Sequence, residues 1–151
     1  MDKAHTPACA PLSSNVDVTS ATGRTMRYDA DKAPDPAQWL SLDERERIRL
    51  VSDAHLNVQF NPGSETLHAT LHVVVETQLA SGAPAVVAQA LERLTKAGLT
   101  RHDAIHAIAS VLAEYVYAAL HPEAARGTSD SVPVEYEAAV ANLTAESWRD
   151  G

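Results

Sequence analysis

One cysteine, Cys9, stands in the whole chain. No internal disulfide and no thiolate metal cluster can be built from it, and such usage fits a reducing compartment. Glycine is thin, six residues scattered without a phosphate-cradling run, so no nucleotide site of the glycine-loop kind is expected. Basic side chains are outnumbered, 12 Lys and Arg against 20 Asp and Glu, for a net charge of −8. A surface this acidic does not neutralise phosphates, so neither nucleic acid nor an anionic membrane is an expected partner. No uninterrupted apolar run of 18 residues occurs, and the N-terminus has no apolar signal core; no membrane span is expected, and the expected location is the cytoplasm. Aromatics are only 5% of the residues although 45% are hydrophobic. Alanine supplies much of the difference, which favours close-packed helices over a sheet sandwich.

What is present is helical periodicity with clear punctuation. Residues 1–25 are rich in Pro, Ser, Thr and Ala without an apolar period and are expected to form a disordered leader, with Met26 as an alternative start. The single domain expected is 26–151. Asp35-Pro36-Ala37-Gln38 has an N-cap, a proline at N1 and a polar N3, opening a short turn that carries Trp39. Ser41 to Glu44 predicts a capping box for a helix over 42–56, with Arg45, Glu46, Arg47 and Arg49 facing water and His55 near its end. Asn61-Pro62-Gly63 is a break, with Ser64 or Asn61 capping a helix over 64–80. The core stripe expected there is Leu67, Leu71, Val74, Val75, Gln78 and Leu79. Helices over 84–97 and 101–120 follow, the first closed by Gly98 and the second capped by Thr100. The latter should bury Ile105, Ala109, Leu112, Ala113, Val116 and Leu120. A terminal amphipathic helix is expected over 134–148. The class is therefore all-α, a small bundle of four to five helices.

The chemistry advertised lies in two HxxxH pairs, His68/His72 and His102/His106. Histidines at i and i+4 share a helix face about 6 Å apart, so two imidazoles can grip one metal. On the first helix His68 is expected to point most inward, beside Val75 and Leu79; on the second, His102 lies inside the apolar stripe and His106 on its shoulder. Short loops make consecutive helices antiparallel, so the two His-bearing helices should run parallel and set both pairs, with His55, at one end of the bundle. Glu76, one turn beyond His72, offers a carboxylate ligand or an acceptor for a ligand's ring N–H; Glu65 and Asp103 are lesser choices, and Glu114 lies too far along its helix. The candidate ligands are thus His68, His72, His102, His106, His55 and Glu76. Nitrogen-rich ligation favours zinc, and added carboxylates would admit iron or manganese. The rival reading is an interaction or oligomerisation module, a homo-oligomer included, whose histidines only pack.

Three resemblances bear on these residues. His72/Glu76 with His102/His106, and His55 as an earlier ligand, resemble the His-xxx-Glu and His-xxx-His helices of hemerythrin-type di-iron bundles; the later ligands of that family have no equivalent here, and oxygen binding is not carried over. His102-Asp103-Ala104-Ile105-His106 resembles the zincin HExxH motif with Asp for Glu, which would imply a metal-dependent hydrolase. Tyr28 to Leu40, Leu67 to His72, Val75-Glu76, Arg101 to His106 and Leu143 to Trp148 resemble a family of small, uncharacterised bacterial proteins, a domain of unknown function. That last resemblance spans about residues 26–149 and implies an all-helical cytoplasmic protein with no established reaction.

Overall fold

The computed structural model describes residues 26–56, 63–121, 123 and 132–150. The expected leader, with Cys9 and His5, lies outside the described residues, as do Asn61 and Val58. Regular structure among the described residues is all helix: α1 (Pro36–Ser41), α2 (Glu44–Ala54), α3 (Ser64–Ser81), α4 (Ala85–Lys96), α5 (Arg101–Leu120), α6 (Val132–Asn142) and α7 (Ala145–Asp150).

Most helix starts follow from capping chemistry. The Asp35 carboxylate accepts the Gln38 N–H at 2.8 Å, with Pro36 at the position where no donor is needed. The capping box of α2 falls two residues later than expected: Asp43 accepts the Glu46 N–H and Glu46 accepts the Asp43 N–H. Asp43 wins over Ser41 because a carboxylate at the positive helix end gains charge as well as a bond. Of the two caps expected for α3, Ser64 is instead its first helical residue, and Gly63 takes the N-cap position in a left-handed conformation. Thr100 caps α5 as expected, its Oγ1 accepting the Asp103 N–H at 3.0 Å. The single terminal helix is in fact two. Thr144 and Ser147 cap each other's N–H groups at 3.1 Å, and Arg93 donates to the carbonyls of Val140 and Leu143, each at 3.0 Å. The Val140 carbonyl at the end of α6 is thereby satisfied, and a new helix starts at Ala145.

Two hydrophobic clusters share α3. One gathers Trp39, Leu42, Val51, Tyr28 and Ala30 against Ala69 and Val73. The other joins Val75 to Val87, Leu94, Ile105, Ile108, Tyr136 and Val140. Because α3 packs against α1, α2, α4 and α5, it buries more than one face, and the single stripe expected for it is corrected. Leu67 is exposed and Val74 partly so, while the buried set is Ala69, His72, Val73, Val75 and Glu76. On α5 burial stops at Ala109; Val116 and Leu120, expected inside, are exposed. By length and composition α5 would reach across a membrane, but in this fold it packs against α3, α4 and α6.

The path from α3 to α4 sets the site. The chain turns by 104° there, at Gly82, whose φ of 71° lets the helix end in a left-handed cap. So α4 does not double back on α3, and the parallel register expected for α3 and α5 does not form. Parallel neighbours with His68 beside His102 would leave Glu76 roughly 13 Å from Arg101 along the axis. Instead Arg101 donates to both oxygens of Glu76 at 2.7 Å. Glu76 meets Arg101, His72 lies 5.3 Å from His102 and His68 lies 5.0 Å from His106, so the contacts run in opposite senses along the two helices.

Candidate metal centre

Five imidazoles gather where the end of α2, the first half of α3 and the start of α5 converge. His55, the C-cap residue of α2, lies 4.8 Å from His72 and 5.0 Å from both His68 and His102, ring centre to ring centre. His72 lies 4.8 Å from His106 and 5.3 Å from His102, and His68 lies 5.0 Å from His106. Four of the five, His55, His72, His102 and His106, each offer a ring nitrogen within 4.8 Å of all the others. His68 adjoins this group from α3.

The sequence placed His68 most inward; the structure gives that place to His72, fully buried while His68 is only partly so. His72 stands within 5.3 Å of the rings of both His102 and His106 on α5. Neither ring nitrogen of His72 has a hydrogen-bond partner, nor does Nε2 of His106. His55 is better supported. Its Nδ1 lies 2.7 Å from the Val51 carbonyl, which fixes the proton on Nδ1 and turns the Nε2 lone pair into the cluster. That Nε2 stands 2.9 Å from Nε2 of His102, which donates its proton to the His55 lone pair.

Burial disfavours the charged form of four of these rings. The His72 imidazole is pushed down to about 2 and that of His106 to about 4, first by burial and then by the neighbouring rings. Burial also lowers His68 and His102. Protonating one ring strands a charge away from water beside others that would repel it. Neutral ring nitrogens grouped this closely are what a transition metal requires.

The carboxylates lie elsewhere. Glu76 is buried, but both its oxygens are engaged by Arg101, and Tyr28 Oη donates to Oε1 at 2.8 Å. The carboxylate expected to complete the shell is therefore spent on tying α3, α5 and the segment before α1 together. Burial, then the Glu76 charge, pushes the Tyr28 phenol well above its ordinary range, so it remains a donor. The Asp103 backbone N–H donates to Thr100, and the Asp103 carboxylate acts on the His102 and His106 rings through its charge without joining the ligand group; Glu65 and Glu114 are exposed. Sequence reasoning missed Arg101 and Tyr28 as supports. Arg101 directly precedes His102, but its partner on α3 is 25 residues away, and no local spacing announces it.

A family model described as a domain of unknown function, DUF1841, matches residues 43–132. The chain belongs to the DUF1841 family. The DUF1841 segment carries all five clustered histidines, with Glu76 and Arg101. The resembling stretches at Tyr28 to Leu40 and Leu143 to Trp148 lie outside it, although Tyr28 and Trp39 are buried against its helices. Neither the curated proteins nor the solved structures returned a match.

Proposed function

We propose that this DUF1841 protein is a transition-metal-binding helical bundle, with His55, His72, His102 and His106 as ligands and zinc as the favoured ion. The observation that carries the reading is His72. A core histidine kept for structure satisfies its nitrogens with carbonyls or carboxylates. His72 has two bare nitrogens in a sealed site, at a cost of about 1–3 kcal/mol for each unmade bond. A cation among the rings would remove that cost. Ligands of a tetrahedral zinc at ~2.1 Å stand ~3.4 Å apart, so the four nitrogens, now spread to at most 4.8 Å, would close by side-chain rotation. An all-nitrogen set supports zinc over manganese, which takes oxygen ligands. Iron would need a carboxylate that Arg101 holds in Glu76.

The test is metal content. Protein purified without chelator and dialysed against metal-free buffer is expected to keep zinc near one ion per chain, and chelator is expected to lower its melting temperature. Substoichiometric metal together with melting unchanged by chelator would overturn the reading. A second reading, self-association, draws on the exposed Val116, Tyr117, Leu120 and Val134. It concerns a different end of the molecule and competes with the first only if no metal binds.

A further inference from the structure

We infer that His68 is an exchange ligand: it trades places with His102 on a metal held throughout by His55, His72 and His106, so that the bundle passes its metal to a competing chelating acceptor rather than locking it in. This rests on the metal-binding reading and extends it from holding a metal to transferring one.

A tetrahedral zinc is satisfied by four donors, yet five rings crowd together here. His68 is the surplus one, because its ring nitrogens stand outside the mutually close group. Its ring is nonetheless placed like a member's. It lies 4.7 Å from His72 and 5.0 Å from both His55 and His106. It is nearer to each of the latter two than they are to each other, at 6.4 Å. Exchanging His102 for His68 hardly alters the span of the set. Ring centres in the set with His102 stand 4.3 to 6.4 Å apart. Those in the set with His68 stand 4.7 to 6.4 Å apart. A tetrahedral zinc ~2.1 Å from each nitrogen sets ring centres roughly 5 Å apart, inside both ranges. Two overlapping sets of four therefore suit one ion, and they share His55, His72 and His106.

Burial divides the rings to match. Of the shared three, His55 and His72 are buried, and His55 is also tied to the Val51 carbonyl. His68 and His102 are both partly exposed and stand on different helices, α3 and α5. Rotation of two rings at the edge of the cluster suffices for the exchange, and the buried donors stay in place. A sealed tetrahedral ion gives up a ligand slowly, since no water refills the vacated position. A fifth imidazole that attaches before the fourth leaves removes that obstacle, because zinc can expand to five-coordination. Each swap forms one metal–nitrogen bond and breaks one, with no change of charge. Between swaps one partly exposed position is held weakly, and there an incoming chelator takes the ion.

Zinc competition on the full chain tests this. His68→Leu, His102→Leu and the double variant are compared in zinc affinity and in the rate of zinc transfer to a chromophoric chelator. Each single variant is expected to keep one zinc with affinity within about tenfold of wild type, and the double variant to lose about 100-fold or more. Transfer is expected to be about tenfold slower in either single variant, whereas loss of an ordinary ligand would speed it. Single losses that add up to the double loss, or a His102→Leu loss as large as that of the double variant, would overturn this inference alone. So would faster transfer from His68→Leu. A wild type that binds no zinc overturns the metal reading, and this inference with it. Should a variant fail to fold, as far-ultraviolet dichroism would show, the zinc-loaded wild type decides. Ring-nitrogen resonances of His68 and His102 broadened by exchange beside a sharp His72 support the swap; a sharp bound His102 beside a sharp metal-free His68 overturns it.

Discussion

A neutral imidazole sealed among other imidazoles is a poor core residue unless something holds its lone pair. His72→Leu separates the two consequences. It keeps most of the volume and removes two unsatisfied nitrogens, so the metal-free variant is expected to melt at or above the temperature of the metal-free wild type, unlike most core changes. Its zinc affinity, measured by competition with a chromophoric chelator, is expected to fall about 100-fold or more. The pH dependence of the metal-free protein follows from the same rings. Folded-state values of about 2 for His72 and about 4 for His106 lie below the ordinary 6.5. Between those values and 6.5 the unfolded chain holds more protons than the folded one, so stability is fully present above 6.5 and is lost as pH falls through the window. Urea midpoints measured from pH 7.5 to 4.5 should decline steadily below 6.5, by up to about 1.4 kcal/mol per pH unit for each ring; a flat profile would contradict the burial. The sequence identified these residue types and their pairing. It ranked them wrongly, because whether His68 or His72 is enclosed depends on where a second helix crosses.

At the scale of elements, the Glu76–Arg101 pair does the joining. It links α3 one turn beyond His72 to α5 one residue before His102, and Tyr28 brings in the segment ahead of α1. Removing one partner leaves a buried charge alone, so Glu76→Gln is expected to cost about 3–5 kcal/mol in urea unfolding. Replacing both, as in Glu76→Leu with Arg101→Met, should recover much of that loss, because two charges leave the interior together. Equal losses in the single and double variants would refute the pairing. Arg47 repeats the lesson on a smaller scale. It was expected in water with its charged neighbours, but donates to the carbonyls of Trp39, Leu40 and Leu42 and closes the end of α1. Helix starts were legible because caps are local. Ion pairs and carbonyl clamps were not, because their partners come from other helices.

For the molecule as a whole, the family segment is not the whole packing unit. Tyr28, Trp39, Tyr136 and Val140 are buried and come from outside residues 43–132. The isolated 43–132 fragment is therefore expected to melt without a cooperative transition under conditions where the chain from Met26 melts with one, as calorimetry would show. Zinc at about 100 times its dissociation constant should add about 2.7 kcal/mol to the longer chain. The helical class, the positions of α3 and α5 and the identity of the clustered histidines followed from the chain alone, since periodicity, caps and breakers act within a few residues. The meeting of those histidines was anticipated through a parallel arrangement that does not exist. The packing of α5 on α3, with Glu76 held by Arg101, decides it, and with it which ring is sealed. Such facts depend on how helices distant in sequence share one interior, and packing settles that only when all of them are in place.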